Sequence, residues 1–377
     1  MTNILIIAGE ASGDTLGAGF VREFQKLQRQ TRFFGLGGDK MKTAGVKLSY
    51  HIKDLAFLGF WEVVKNIRFI KKVQRDVLYQ VDILKPEMAV LIDYPGFNLS
   101  LASKLKQRGL KVFYYISPQI WAWGGGRIRK IKSSVDFMTT IFEFEKEVYE
   151  KAGVPVRWVG HPLLDEIQAP VAENEFRRIA GLKEDDIALG LFPGSRIQEI
   201  ERILPELLQA LDLISSANPL IKGLIGRAPA IDNAVYRNIM TRHNSNARFY
   251  EGGNYDLMAR ARLNLVCSGT ATLECAIIGT PMVVVYKTSP PTYWIARSLI
   301  KIPYIAMVNV VAGEKIVPEL IQGECNARAI AAMSRKYLDD SGFYNDVKNR
   351  LARIKSKLGE TGAAGRAAMA AVELMSN

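Results

Sequence analysis

Short apolar runs alternate with stretches of helical periodicity along the whole chain. Residues 4–8 form an unbroken apolar run of strand length. After the turn Gly9-Glu10-Ala11-Ser12-Gly13-Asp14, Leu16, Phe20, Phe24 and Leu27 recur at helical spacing. The same pattern predicts strands at 32–34, 88–92, 112–116, 137–139 and 157–159, with helices between most of them. Continuous apolar strands joined by helices are the mark of a parallel sheet covered on both faces.

Across 169–184 the pattern lapses into a polar, charged stretch, read here as a linker. The alternation then restarts, with strands at 187–192, 221–225, 248–250, 263–267 and 282–286 and a helical stripe of Ile200, Leu204, Leu207, Leu211 and Ile214. The expectation is an α/β chain of two doubly wound, Rossmann-like parallel-sheet domains facing each other across a cleft. The first spans 1–170 and the second 185–340, with C-terminal helices at about 345–377 packing back on the first.

Composition narrows the chemistry. A length of 377 residues suits two cores, and 48% apolar with 23% charged residues is ordinary for a globular chain. The net charge of +12 asks for an anionic partner, such as phosphate-bearing substrates, anionic lipid or nucleic acid. Cys267, Cys275 and Cys325 lack metal-ligand spacing, and three histidines in all argue against a zinc hydrolase. The N-terminus has no basic stretch before its apolar run, so no signal peptide is expected. The charge-poor stretch 263–286 is broken by turn residues at 268–270 and 279–281 and carries Glu274, which does not fit a membrane span.

In such sheets ligands sit beyond the carboxyl ends of the strands. Five strand-to-helix turns carry unusual residues. Gly9–Asp14 offers two glycines and a helix N-terminus to an anion, unless Ser12 or Asp14 merely caps the helix. Asp93-Tyr94-Pro95-Gly96-Phe97-Asn98 places a carboxylate at the end of a buried strand, as a proton acceptor or a turn cap. Ser117-Pro118-Gln119-Ile120-Trp121-Ala122-Trp123, followed by three glycines and Arg127, Arg129 and Lys130, suits a sugar face beside a phosphate; a nucleic-acid surface and a solvated basic face are its rivals.

Pro193-Gly194-Ser195-Arg196 offers N–H donors and a guanidinium to phosphate, although Glu199 could tether Arg196 instead. Ser268-Gly269-Thr270-Ala271-Thr272-Leu273-Glu274 opens a helix fit for a diphosphate. Its Glu274 would be satisfied by a ribose diol or by a partner arginine. A last stretch, 53–75, sets Leu55, Phe57, Leu58, Phe60 and Trp61 ahead of a helix with Val63, Ile67, Ile70 and Val73 on one side. Lys65, Arg68, Lys72 and Arg75 line the other side. That pattern fits an interfacial helix on anionic lipid, with an amphipathic core helix as the alternative.

The joint order and spacing of Gly9–Asp14, Asp93–Asn98, Ser117–Trp123, Gly194–Arg196, Ser268–Glu274, Val308-Asn309 and Pro318-Glu319-Leu320-Ile321-Gln322 resemble the lipid A disaccharide synthases, inverting glycosyltransferases of GT-B architecture. The resemblance covers nearly the whole chain. It implies a cytoplasmic enzyme, peripheral on the inner membrane of a Gram-negative bacterium. The implied donor is UDP-2,3-diacylglucosamine and the acceptor 2,3-diacylglucosamine 1-phosphate. The products are a β-1,6-linked disaccharide 1-phosphate and UDP.

It further implies a donor site of Gly194, Ser195, Arg196, Ser268, Gly269, Thr270, Ala271, Thr272, Glu274 and Asn309. The acceptor site would take Ser12, Asn98, Gln119, Arg127, Arg129 and Lys130. Asp93 would be the base, with Asp14 and Glu10 in reserve, and Phe57, Leu58, Phe60, Trp61 and Ile67 would touch the membrane. No cofactor, metal or nucleic acid is implied, and a homodimer is compatible. Two rivals remain at this point. One is another UDP-sugar enzyme of the same architecture, either the N-acetylglucosaminyltransferase of peptidoglycan lipid synthesis or an epimerase. The other is a non-catalytic basic protein that binds lipid or nucleic acid.

Overall fold

Both halves of the chain build a parallel sheet whose central strands are apolar on both faces, as the continuous runs require. The computed structural model describes residues 2–55, 67–121, 125–299 and 302–376. It divides into two units, the first made of Met1–Asp165 and Leu358–Asn377 and the second of Glu166–Lys357.

The first unit carries a seven-stranded sheet in the order β3-β2-β1-β4-β5-β6-β7. Its strands are β1 (Thr2–Ala8), β2 (Thr31–Gly37), β3 (Lys47–His51), β4 (Met88–Ile92), β5 (Lys111–Tyr115), β6 (Phe137–Thr140) and β7 (Val156–Trp158). Its helices are α1 (Ala11–Leu27), α2 (Asp39–Thr43), α3 (Ile67–Leu84), α4 (Pro95–Lys106), α5 (Ile128–Ser134), α6 (Glu143–Lys151) and α7 (Leu163–Glu166), the last crossing into the second unit. Every neighbouring pair is parallel. One layer packs Leu5, Ile7, Leu91 and Tyr114 against α3 and α4; the other packs Ile4, Ile6, Val90 and Phe113 against α1.

The second unit has six parallel strands in the order β10-β9-β8-β11-β12-β13. They are β8 (Ile187–Phe192), β9 (Ile221–Ile225), β10 (Arg248–Phe249), β11 (Leu263–Cys267), β12 (Met282–Tyr286) and β13 (Glu319–Ile321). The helices are α8 (Glu173–Ala180), α9 (Ile197–Ala217), α10 (Asn233–Arg242), α11 (Asn254–Arg260), α12 (Thr270–Ile278), α13 (Pro290–Leu299), α14 (Met307–Ala312), α15 (Ala327–Asp339) and α16 (Ser341–Lys357). The last helix of the chain, α17 (Ala363–Ser376), belongs to the first unit.

The two units are therefore Rossmann-like doubly wound α/β domains, the arrangement of the GT-B fold. The C-terminal helices divide between them, which corrects the expectation for 345–377. Tyr344, Val347, Leu351 and Ile354 turn α16 onto α12, α14 and α15 of the second unit. Only α17 packs on α1, where its buried Ala363, Ala367, Ala368 and Ala371 permit close approach. Among the described residues no helix is long and apolar enough to cross a membrane. All three cysteines are buried and free.

The strand order reverses between β1 and β4 in the first unit and between β8 and β11 in the second. These switch points open a crevice beyond the carboxyl ends of their strands, which is where this topology places ligands.

Candidate functional site

At the first switch point, β4 ends in Asp93 and Tyr94, two consecutive non-glycine residues with φ of +43° and +45°. That left-handed backbone is costly and persists only where its surroundings over-determine it. Two buried side chains do so here. Asn98 Nδ2 donates to the carbonyls of Ile92 (3.1 Å) and Asp93 (2.8 Å), and the Tyr114 hydroxyl donates to the Asp93 carbonyl (2.6 Å).

The Asp93 carboxyl is partly buried, and no cation among the described residues pairs with it. Burial, and next the charge of Glu10 at the end of β1, push its pKa up to about 6. Such a group is ionised near neutrality and is a better base than an exposed aspartate. Glu10 itself is exposed, as is Ser12 in the first turn of α1.

Two residues expected here act otherwise. Asp14 accepts the N–H groups of Gly38 (2.7 Å), Met41 (2.9 Å) and Lys40 (3.1 Å), so it is a tether for the N-terminus of α2 rather than a reserve base. Asn98 is 0% exposed and spends its amide on the Asp93 turn, which makes it a support of that turn rather than an acceptor contact.

The stretch after β5 starts with the buried Ser117; Gln119 is exposed and Ile120 buried. Residues 122–124 lie outside the described residues. Beyond them Arg127 is half-buried, within electrostatic reach of the Tyr114 hydroxyl, and Arg129 and Lys130 are exposed on α5. The sequence reading missed Glu145 of α6, only 1% exposed, whose Oε1 accepts the Trp121 indole N–H at 2.8 Å. Burial pushes its carboxyl up to about 7. A glutamate in the first turn of a charged helix gives no sequence signal of this, because its burial is set by packing on a distant segment.

At the second switch point, Gly194 has φ +123°, and a Cβ there would stand 2.6 Å from Glu199 Oε2. Glu199, at the start of α9, accepts the N–H groups of Ser195 (3.0 Å) and Arg196 (3.2 Å) and pairs with the Arg196 guanidinium at 2.8 Å. The tether weighed in the sequence is therefore real, and two of the N–H donors expected for phosphate are already taken. Arg196 remains 72% exposed.

The start of α12 is different. No side chain among the described residues caps it, and Gly269 and Thr270 are exposed. Thr272 Oγ1 turns back to the Gly269 carbonyl (2.8 Å), while Ser268 Oγ donates to the Ile305 carbonyl (2.8 Å). The Thr272 N–H also turns back to the Gly269 carbonyl (3.2 Å), which leaves the first-turn N–H groups of Thr270 and Ala271 without a side-chain cap, as at an anion site. Glu274, one turn on, has no described hydrogen-bond or ion-pair partner. Burial first, then the charge of Glu166, push its carboxyl up to about 7. The partner arginine weighed in the sequence is absent among the described residues.

Asn309 departs from expectation. Its Nδ2 donates to Val317 O (2.9 Å) and Glu319 Oε1 (2.8 Å), and its Oδ1 accepts the N–H groups of Ile316 (2.8 Å) and Val317 (3.0 Å). Saturated and 0% exposed, it organises the segment before β13 instead of reaching a ligand. Glu319 carries the order onward, accepting the N–H groups of Ile305 and Ala306, and Ile305 in turn holds Ser268.

Phe57, Leu58, Phe60 and Trp61 lie outside the described residues. Ile67, which opens α3, is 44% exposed, and Arg68, Lys71, Lys72 and Arg75 are exposed after it. The buried face of α3 keeps Val73 of the sequence stripe, with Ile70 partly buried against the core, and continues about two turns further through Val77, Leu78 and Val81, while Ile67 is off it.

A family model for lipid-A-disaccharide synthetase matches residues 4–371. The chain is similar to the lipid-A-disaccharide synthases of Syntrophus aciditrophicus (42% identical over 373 residues, 99% of this chain and 97% of that one) and Myxococcus xanthus (38% over 378 residues, 100% and 99%). Among solved structures it is similar in fold to a Neisseria meningitidis UDP-GlcNAc 2-epimerase bound to UDP-GlcNAc (TM-score 0.65, 15% identical, 100% of both chains). It is also similar in fold to the calicheamicin glycosyltransferase CalG4 (TM-score 0.64, 14% identical, 100% and 99%).

Proposed function

The chain belongs to the lipid-A-disaccharide synthetase family and is a glycosyltransferase, and from that premise we propose how its two units divide the reaction. The donor is UDP-2,3-diacylglucosamine, the acceptor 2,3-diacylglucosamine 1-phosphate, and the products are a β-1,6-linked disaccharide 1-phosphate and UDP.

One observation carries the division of labour: each switch point holds a carboxylate with no cation beside it among the described residues, and at the second that carboxylate, Glu274, lies one turn into a helix that opens on the exposed Gly269 and Thr270 with no side-chain cap. In the second unit, Glu274 accepts the ribose hydroxyls, which supplies the partners it lacks. The N–H groups from Gly269 to Ala271 hold the diphosphate, with Ser268 and Thr272 fixed beside them. As the sugar–phosphate bond breaks, charge gathers on the departing diphosphate. The α12 N-terminus and the exposed Arg196 stabilise that charge, a preorganised electrostatic effect.

In the first unit, Asp93 takes the proton from the acceptor 6-hydroxyl as that oxygen attacks the anomeric carbon in line. Glu10 raises the basicity of Asp93 and is the nearest substitute for it. Arg127, Arg129 and Lys130 hold the acceptor phosphate, with Gln119 and Ser12 on the sugar. Residues 57–61 and the start of α3 take the acyl chains and rest on an anionic membrane surface, so that lipid need not leave the bilayer fully.

The testing experiment follows UDP release with acylated and unacylated sugars. Release that requires both acylated partners supports this reading, whereas turnover of unacylated UDP-sugars points to a different UDP-sugar enzyme of the same architecture.

A further inference from the structure

Helix α6 reaches the stretch after β5 through two side chains one turn apart. The Tyr149 hydroxyl donates to the Pro118 carbonyl at 2.7 Å, and Glu145 accepts the Trp121 indole N–H at 2.8 Å. Residues at i and i+4 share one helix face, so α6 grips this stretch at two points three residues apart. The Trp121 ring also meets Phe144 edge-on, with centroids 5.0 Å apart, and Phe144 stacks on Phe142.

The choice of a carboxylate for this grip is unusual. Glu145 is almost wholly enclosed, no cation among the described residues neutralises it, and beside the indole it meets neutral donors alone: the Phe142 N–H at 3.3 Å, the Ile141 N–H and the Ser117 hydroxyl. Burying a carboxylate with no cation beside it is costly, and an apolar residue would give a more stable core. What it secures is the placement of one indole. From Trp121 the chain continues to Arg127, and Arg127 and Asp93 act on the same Tyr114 hydroxyl, the one that braces the Asp93 turn.

We infer that Glu145 is a positioning residue for the acceptor: by holding the Trp121 indole it fixes the stretch that sets Gln119 and Arg127 beside the strand end bearing Asp93. Glu145 touches no substrate and acts through Trp121. The inference rests on the reading of Gln119 and Arg127 as acceptor contacts.

The test uses the full chain and compares Glu145→Ala, Glu145→Gln, Trp121→Phe and the double variant Glu145→Ala/Trp121→Phe. It measures kcat, separate KM values for donor and acceptor, and UDP affinity by calorimetry. Glu145→Ala and Trp121→Phe should each raise the acceptor KM about tenfold, with donor KM and UDP affinity within about twofold of the parent. Glu145→Gln should restore most of the loss, because its amide oxygen still accepts the indole N–H. The double variant should be no worse than the poorer single one, as expected of partners in one interaction.

An acceptor KM that stays within about twofold in folded Trp121→Phe overturns the inference, even where Glu145→Ala fails to fold. So does a parallel loss of kcat, donor binding and melting temperature with no selective effect on the acceptor. If the parent chain transfers nothing to the acyl-sugar phosphate, the acceptor reading has failed and this inference falls with it. That outcome is told apart by the parent's behaviour alone.

Discussion

The ring of Tyr94 occupies the space where a side chain at residue 9 would begin. A Cβ on Gly9 would stand 2.2 Å from Tyr94 Cδ1 and 2.4 Å from Cγ. This contact joins the ends of the neighbouring strands β1 and β4, where Ala8 pairs with Ile92. It lets Glu10 and Asp93 come near enough for one carboxylate to raise the pKa of the other. Tyr94 is itself stacked on Phe97, with ring centroids 5.8 Å apart, so the ring has little room to retreat.

Gly9→Ala should therefore displace Tyr94 and with it the left-handed turn at Asp93. The expected result is a kcat at least about tenfold lower, a stability loss of about 1–3 kcal/mol and unchanged UDP affinity, since the nucleotide is assigned to the other unit. Steady-state kinetics, chemical denaturation and calorimetry on the one variant check all three.

Asp93→Asn keeps the shape of the turn and removes the proton acceptor. Turnover should fall about 100-fold or more with UDP affinity unchanged. In the parent chain, kcat/KM should rise with pH through about 6, as the Asp93 carboxyl loses its proton. The variant should lack that limb. A folded Asp93→Asn with parental turnover would transfer the role to Glu10.

Glu274→Gln separates binding from stability. The folded-state pKa of about 7 lies above the usual carboxylate value of 4.5, so the ligand-free folded chain retains a proton that the unfolded chain releases between those values. Its stability contribution therefore declines as pH rises from about 4.5 to 7, by roughly 2–3 kcal/mol, and stays lower above that. The glutamine removes this penalty. Relative to the parent, the ligand-free variant should melt higher at pH 8 and about equally at pH 4.5, while its UDP affinity drops about tenfold. Thermal melts at the two pH values and a UDP titration decide it.

Replacing Phe57, Phe60 and Trp61 together with serine should reduce co-sedimentation with anionic vesicles. Binding by the parent should weaken as salt is raised, because the exposed Arg68, Lys71, Lys72 and Arg75 supply the electrostatic part. Equal co-sedimentation of parent and variant would remove this stretch from membrane contact.

Much of the architecture was legible because buried parallel strands announce themselves as continuous apolar runs. Met88–Ile92, Ile187–Phe192, Ile221–Ile225, Leu263–Cys267 and Met282–Tyr286 were read with the bounds the structure gives. The strands missed, β3 and β13, are edges. Lys47–His51 is only partly covered, and Glu319–Ile321 is three residues long, so neither needs an apolar run.

The site was legible as far as the turns that carry it. What each polar side chain binds was not, because the partners come from elsewhere in the chain. Asp14 meets backbone 24 to 27 residues away, and Glu145 meets an indole 24 residues back. Asn309 and Glu199 find closer partners, yet only the folded loops show that these use up the groups a ligand would need.

The central claim is that this chain joins two acylated glucosamines at the expense of the bond between the donor sugar and its UDP group. The most direct measurement incubates it with UDP-2,3-diacylglucosamine and 2,3-diacylglucosamine 1-phosphate, then analyses the products by mass spectrometry. The account predicts a tetraacylated disaccharide 1-phosphate and UDP in equal amounts. UDP released without a disaccharide, or no conversion of either sugar, would contradict it.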